Sequence, residues 1–514
     1  MTTISRPQVS ISIVPAKTTI SNKPQRLLFV GQKLAAGTAT AGALIKNIQN
    51  DNSWDTLFGS KSMLAGMLRA ARKENGVTFF DAIALDDAGA AVKATATITF
   101  AGTPTAAGTI NVSVVSEKDY TFKIAITTAD TATTIADKLV TAVTASTNIP
   151  VAASNVAGVV TLTAENGGTE ANSFTSKIDG SVAGVTVTTT LFSGGATDPV
   201  TTNVFNVIGN IREQSTVSPF AYGVTYLKDF LDPRFNVTNN VLDGVAVVTA
   251  TDNLTNLETI GNAHNSQSLV IIGDALVSTD LQKGSSFVEA DYIKSSMFAA
   301  IRALRLTEDA DISRYVIGSG GALDAFGGAA LSSLPYFNTP LPNMVVTDSS
   351  LGFTDSQISQ LNDSGVTVFG NNVADNAVIL GEVVTTYKTD NAGNPDVSFK
   401  YLNYVDTSSN AREFMFNNAK SDFAQSRLTN GDLIPFRNIN NVESISAKFV
   451  GYYTTLSGQE YVLTQAGEAA LAFYKTNLSV TVDLATGKAK VLQSVPIVTQ
   501  LRNIVSTFQL EFDI

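Results

Sequence analysis

His264 is the single histidine of the chain, set in Asn262-Ala-His-Asn-Ser266, and a lone imidazole is the first group to weigh for proton transfer or a hydrolytic triad. A triad also needs a nucleophile on a strained elbow and a carboxylate that orients the ring, and no Gly-x-Ser-x-Gly motif supplies the first. A structural or solvent-exposed histidine is expected. Gly318-Ser-Gly-Gly321, followed by Gly327-Gly328, has the glycine density of a phosphate loop. It lacks the Gly-x4-Gly-Lys-Ser/Thr order, and a dinucleotide fingerprint would need a strand, a helix and a downstream acid in register. Asp390-Asn-Ala-Gly-Asn-Pro-Asp396 carries the acids and amides of a calcium loop without the spacing or closing Glu of an EF-hand. It reads as a hairpin turn between strands at Val383–Thr389 and Val397–Val405. Asp86-Asp87 and Glu308-Asp309-Ala-Asp311 are carboxylates without visible partners, for which loop and helix-cap roles suffice. Trp54 with Phe58 reads as a core or interface anchor. No catalytic residue, metal ligand or cofactor site is expected.

Composition narrows the classes further. The chain has 514 residues, enough for several domains, and 44% of them are hydrophobic, so packed cores are expected. Charged residues make up 15%, well below the usual quarter or so of a globular chain, which suits surfaces largely covered by other subunits. The net charge is -11 with no basic run, which argues against nucleic acid or an anionic membrane as partner. With no cysteine, thiol catalysis, disulfide frameworks and cysteine-based metal sites are excluded. The N-terminal residues lack the apolar core of a signal peptide, and no apolar run reaches the roughly eighteen residues of a membrane span. Synthesis and assembly in a reducing cytoplasm, with no direct membrane insertion, are the expectations.

The elements that organise the chain are marked by period. Phe508, Leu510, Phe512 and Ile514 alternate with Thr507, Gln509, Glu511 and Asp513, and Val9, Ile11 and Ile13 alternate with Ser10 and Ser12. Each is a strand with one apolar face. Such strands either pair within their own subunit or add to a neighbour. Residues 1–24 are therefore read as an N-terminal arm and 496–514 as a C-terminal arm strand. Buried strands are expected at Arg26–Gly31, Phe79–Leu85, Val204–Ile208 and Val270–Gly273, with helices at Ser62–Lys73 and Val288–Leu304. This alternation makes residues 25–87 plus 199–379 a discontinuous α/β core domain. Between them, residues 88–198 turn rich in Thr, Ala, Val and Gly. Strands are expected at 94–100, 109–115, 120–126, Val159–Thr163 and Val185–Leu191, with a helix capped by Asp130 carrying Ile135, Leu139 and Val143 on one face. This is read as an inserted β-rich outer domain. Residues 380–495 form a C-terminal α+β domain with helices at Asn410–Leu428 and Thr464–Asn477, followed by a strand at Leu478–Asp483 and a turn at Gly487 that leads to the C-terminal strand. The fold class is thus α+β / α/β multidomain: a mixed-sheet core, an inserted β-rich domain and strand-forming arms.

Several stretches, in this order along the chain, resemble the tail sheath protein of contractile-tailed phages, most closely the Mu-like branch. They are Asp130-Thr-Ala-Thr-Thr-Ile-Ala-Asp-Lys-Leu139 and Val159-Val-Thr-Leu-Thr-Ala-Glu165 in the insert, then Ala300-Ile-Arg-Ala-Leu-Arg-Leu-Thr307, then Gly320-Gly-Ala-Leu-Asp-Ala-Phe-Gly-Gly-Ala-Ala-Leu-Ser-Ser-Leu-Pro-Tyr-Phe-Asn-Thr-Pro340, and last Thr385-Thr-Tyr-Lys-Thr-Asp-Asn-Ala-Gly-Asn-Pro-Asp-Val-Ser-Phe399. The resemblance implies a structural subunit of a virion, not an enzyme. Its copies would form a helical sheath around a tail tube, meet baseplate and tail terminator proteins, and contract to drive the tube through the host envelope during genome delivery. It also implies that the arms add strands to neighbouring subunits, with Val9, Ile11, Ile13, Phe508, Leu510, Phe512 and Ile514 as the exchange residues and Pro15–Pro24 as a hinge. The helix Thr464–Asn477 is a candidate for contact with the tube. A different self-assembling β-rich surface or tail-decoration protein, or a hydrolase using His264, are the rival readings.

Overall fold

A computed structural model describes residues 25–48, 50–235, 240–279, 282–285, 287–306, 339–346, 352–371, 377–433, 438–457 and 465–498, with the single residues 237 and 336. The first strand, β1 (Arg26–Gln32), is buried along nearly its whole length, as a strand covered on both faces must be. There follow β2 (Leu44–Ile48), α1 (Asp51–Phe58), α2 (Met63–Glu74) and β3 (Phe79–Leu85). Helix α2 starts where the sequence places it, because the Ser62 hydroxyl accepts from the Ala65 N–H. Trp54 and Phe58 of α1 are fully buried in the core.

The insert comprises β4 (Thr95–Gly102), β5 (Gly108–Val115), β6 (Asp119–Ile126), α3 (Ala132–Ala145), β7 (Val151–Val156), β8 (Val159–Ala164), β9 (Thr175–Asp179) and β10 (Val185–Thr189). Its strands make two antiparallel sheets, in the orders β10-β4-β8-β7 and β6-β5-β9. Helix α3 buries Ile135, Leu139 and Val143 against them. Its cap is Thr131, one residue later than expected. Thr131 and Thr134 satisfy each other's backbone N–H groups in a capping box, while Asp130 accepts from Thr127 and Lys138.

The chain then returns through β11 (Ser215–Val217), α4 (Val224–Leu231), β12 (Val245–Asp252), α5 (Leu254–Asn262), β13 (Leu269–Thr279), β14 (Gln282–Ser285), α6 (Asp291–Leu306), α7 (Asp355–Asp363), β15 (Val366–Asn371) and β16 (Ala377–Leu380). One mixed sheet results, in the order β16-β15-β13-β12-β11-β1-β3-β2, with β14 hairpinned onto β13. Its inner strands are all parallel, and the edge strands β2 and β16 are antiparallel. Val204–Ile208, expected as a core strand, is a 3-10 helix instead. Asn203 at φ 62° and Gly209 at φ 55° turn the chain at either end, and Phe205 and Ile208 point inward three residues apart, a period no strand can supply.

Helix α8 (Leu402–Asp422) leads into β17 (Arg427–Leu428), β18 (Ile439–Asn440), α9 (Val442–Ser457), α10 (Glu468–Thr476), β19 (Ser479–Asp483) and β20 (Lys488–Leu492). Helix α8 begins eight residues before the expected Asn410 and stops at Asp422 rather than Leu428. Leu402 and Val405, three apart, both enter the main core, so the second arm of the expected 383–405 hairpin is lost to helix. That hairpin survives only as single bridges, Val384 to Tyr401 and Thr389 to Pro395. Helix α10 begins at Glu468 because Gly467, at φ 97°, breaks the helical path. Ala411 and Met415 of α8 belong to a second core with Phe449, Tyr453 and Tyr474, the last two rings stacked at 4.3 Å. One helix of 21 residues, about 31 Å long, thus serves both cores.

The insert is seated on α2 and α6. The Ala290 N–H donates to Ser116 O at 2.8 Å, and the Glu117 carboxyl lies directly over Gly66 in the middle of α2. A Cβ at Gly66 would stand 1.8 Å from Glu117 Oε1, so any larger residue there requires this carboxyl to move. Burial pushes the Glu117 carboxyl up to about 8, against the pull of Arg69, the Tyr292 hydroxyl, Lys118 and Lys73. Glu170 is likewise raised to about 8, by burial and then by Asp291, with the Ala221 N–H opposing. Both groups bind protons more tightly folded than unfolded. Their contribution is therefore complete below about pH 4.5 and is lost as pH rises to about 8. The thermal midpoint should fall across that window, and Glu117→Gln and Glu170→Gln should each flatten the fall; equal slopes in wild type and variants would refute this assignment.

Candidate functional site

The groups singled out for chemistry are dispersed and engaged. His264 follows α5, half-buried, and the two charged groups that face it are Lys228 and Lys388. Burial and these cations lower its pKa, a setting that disfavours the imidazolium a triad base must become. In the Asp390 turn, one carboxylate oxygen accepts from the N–H groups of Ala392 and Asn394, while Asp396 accepts from Ser398 and from the Tyr387 hydroxyl at 2.6 Å. These bonds hold both carboxyls below their usual range. Gly318–Gly328 and Glu308–Asp311 lie outside the described residues.

Asp86 and Asp87, expected to lack partners, have several. Lys33 Nζ lies 2.8 Å from Asp86. Asp87 accepts from Gln32 Nε2 at 2.7 Å, Asn166 Nδ2 at 3.0 Å and the Gly167 N–H at 2.9 Å. Asn166 accepts from the Met63 N–H at 3.0 Å and donates to Lys33 O at 3.2 Å. Gln32 also donates to Gly167 O, and its carbonyl receives the Tyr222 hydroxyl at 2.6 Å. The place of this network matters. Strands β1 and β11 are neighbours whose chains depart in opposite directions across the sheet, β1 to β3 and β11 to β12. In open α/β sheets the crevice beyond the strand ends at such a switch point is where ligands bind. Gln32 closes β1 at that end, and the insert's Asn166 and Gly167 fill the space. The cavity left beside Met63, Asn166, Glu170 and Tyr292 is about 20 Å³, room for one water at most. The enzyme-like crevice of this sheet is a joint.

The strand-exchange residues Val9, Ile11, Ile13, Phe508, Leu510, Phe512 and Ile514 lie outside the described residues. The described part that bears on them is the β19–β20 ribbon, a two-stranded antiparallel pair to which no third strand is bonded among the described residues. Val480, Val482 and Val491 rest against the second core, while Thr481, Lys488 and Lys490 face solvent. A two-stranded ribbon is marginal by itself, and its free edges present unpaired backbone N–H and C=O groups. The alternation in Leu478–Asp483 and the Gly487 turn made β19 and the turn legible; the partner strand Lys488–Leu492 and the ribbon's isolation from the main sheet were not.

The chain matches a curated relative, the Mu-like prophage FluMu tail sheath protein of Haemophilus influenzae, with 33% identity over 138 residues. The match spans 27% of this chain and 28% of the relative, little more than a quarter of its length. That relative is of the kind the sequence motifs resemble. No family model matches the chain. Among solved structures, the sheath tail proteins of Desulfitobacterium hafniense and Listeria innocua give TM-scores of 0.44 each, at 10% and 11% identity, covering 96% and 93% of this chain and 100% and 93% of theirs. The contracted helical sheath of the anti-feeding prophage gives 0.46 at 12% identity, covering 99% of this chain and 100% of that one. These are likenesses at low identity.

Asn166 is the residue through which insert, linker and core meet. Asn166→Ala removes one acceptor and two donor bonds and strands the Met63 N–H, so a loss of about 1–3 kcal/mol in chemical denaturation is expected. Faster amide exchange at residues 63–65 should accompany it; a variant as stable as wild type would show that the joint is dispensable.

Proposed function

We propose that the chain is a tail sheath subunit of the Mu-like kind, which polymerises into a helical sheath around a tail tube and shortens to drive that tube through a host envelope. The observation that carries this is the 33% identity over 138 residues to the FluMu tail sheath protein. The role is structural, in the virion, with assembly in the host cytoplasm; the tube, baseplate and tail terminator are the partners. The domain division is the discontinuous core with its seated insert, followed by the C-terminal domain and flanked by the two arms.

Strand exchange follows from the ribbon and the termini. An arm from a neighbouring subunit adds to a free edge of β19–β20, gaining main-chain hydrogen bonds from the edge and specificity from its alternating side chains. With Phe508, Leu510, Phe512 and Ile514 turned toward the second core beside Val480, Val482 and Val491, the arm's Glu511 and Asp513 come to the outer face, where Lys488 and Lys490 stand. A shift of one residue would expose the apolar set, so the register is strongly specified. Contraction then changes subunit packing while the exchanged strands keep the mesh continuous, and no bond chemistry is involved.

Purified protein should form wide, striated tubes in negative-stain electron microscopy, alone or with its tube protein added. Deletion of 508–514, or Leu510→Asp with Phe512→Asp, should leave a folded monomer that makes none. Tubes from these variants would sink the exchange of the C-terminal arm, and no tubes from wild type under either condition would sink the sheath reading.

A further inference from the structure

The insert meets the core at two places. One is the joint at Asn166, where the strands that enter and leave the insert run side by side. Val92 and Ala196 exchange backbone hydrogen bonds at 2.9 and 3.1 Å, Thr95 and Ser193 do so at 2.9 and 3.0 Å, and the Gly168 N–H joins them through Val92 O at 3.0 Å. Two connections bonded to each other act as one stalk. The other place is the turn between β5 and β6, which sits on α2 and α6. There the Ala290 N–H donates to Ser116 O, and the Glu117 side chain enters over Gly66. Glu117 Oε1 is buried and has no hydrogen-bond partner among the described residues. The groups that face this carboxyl are Arg69 and Lys73 of α2, Tyr292 of α6, and Lys118 and Tyr120 of its own hairpin. Arg69 is engaged with Asp55 and with Ser60 O at 2.8 Å, Lys73 is exposed, and Lys118 lies over the Tyr120 ring at 4.8 Å. A carboxylate seated here would be buried with an oxygen unmet, a state strongly disfavoured against the same group in water.

We propose that the β5–β6 turn is a proton-operated latch: Glu117 seats it as a neutral acid, and when its proton leaves for water the insert swings off α2 and α6 about the Asn166 joint while the core keeps its fold. The seated carboxyl is pushed by burial from the ordinary 4.5 up to about 8, so it binds its proton more tightly closed than open. Its contribution to closure is complete below the lower value and weakens by up to about tenfold per pH unit until the upper one is passed. The bonds of Asn166 run to Met63, Lys33 and Asp87, none of them shared with Glu117, so the joint serves as the pivot. Glu170 belongs to that side: it lines the small cavity there with Asn166 and Tyr292, and Asp291, Asp198 and Tyr222 face it. The latch does not rest on the sheath reading.

Amide exchange of the full-length protein from about pH 6 to about pH 9, corrected for the intrinsic rise of exchange with pH, reads latch and joint separately. The Ala290 N–H, whose acceptor is Ser116 O, should lose protection about tenfold or more. The Met63 N–H, held by Asn166, and residues 246–250 of β12 should keep theirs. Glu117→Gln, neutral at every pH, should hold Ala290 protection constant, whereas Glu170→Gln should still lose it. Constant protection in wild type, a wild-type loss in Glu117→Gln, no loss in Glu170→Gln, or loss at Ala290, Met63 and 246–250 together would each overturn the proposal. A second measurement leaves Glu117 untouched. The chain has no cysteine, and the Ala290–Ser116 backbone bond brings these two residues within disulfide reach. Ser116→Cys with Ala290→Cys, oxidised near neutral pH, should keep at about pH 9 the radius of gyration it has at about pH 6, and reduction should enlarge it; equal radii in the two redox states at the higher pH would also overturn the latch.

Discussion

Helix α6 has almost no solvent face, and yet it carries Lys294, Arg302 and Arg305, all buried. A buried charge without a partner costs several kcal/mol, so the partners of these cations constrain everything around them. Lys294 Nζ meets Asp274 of β13 at 2.5 Å and Asp291 of its own first turn at 3.0 Å. Arg302 reaches Gln214 O and Ser215 Oγ, each at 2.6 Å, and Asp406 of α8 at 2.5 Å. Arg305 donates to Thr339 Oγ1 at 3.0 Å. The helix is thereby pinned to the sheet along its length. Its start holds the insert through Ala290 and Tyr292, and its end holds Gln25 and α8. Replacing such ion pairs by apolar groups often stabilises a fold, so their value here lies in fixing one arrangement of the parts.

The second consequence is a sheet that has given up its ligand crevice. The parallel order of the core is the kind that elsewhere positions cofactors at a switch point, and in this protein that point is filled by Gln32, Asn166, Gly167 and Tyr222 in mutual hydrogen bonds. A fold says little about function, and the site decides. Here the site is a joint between core and insert, and its hydrogen bonds tie the two together where a bound substrate would otherwise sit. Three charge pairs do the same at the other end: Arg212 with Glu413, Arg412 with Asp243, and Arg302 with Asp406, all tying α8 to the main core.

Much of the local structure was legible because it rests on local causes. The Ser62 cap and the apolar spacing of Met63, Met67 and Ala70 mark α2, and the alternation around Thr97–Phe100 and Phe122–Ile126 marks β4 and β6. Misreadings fell where tertiary packing outweighs period. Val204–Ile208 has the composition of a strand, but its ends turn back on themselves at Asn203 and Gly209. Leu402 and Val405 continue an extended-looking run, yet only a helix places both in the core. The partners of Asp87 are separated from it by 55 and 79 residues, and no local pattern announces such pairs.

By itself the sequence determined the class of the chain: a cysteine-free, weakly charged α/β protein with a β-rich insertion and strand-patterned ends. Composition and side-chain period do not depend on what the chain later packs against. Only the tertiary structure decided that the Asp86-Asp87 boundary is a hydrogen-bonded joint, that the Glu117 carboxyl lies over Gly66, that the β19–β20 ribbon stands apart from the main sheet, and that α8 belongs to two cores at once. Each of these turns on groups brought together from distant parts of the chain, where burial removes water as the alternative partner and leaves one geometry in which every polar group is met.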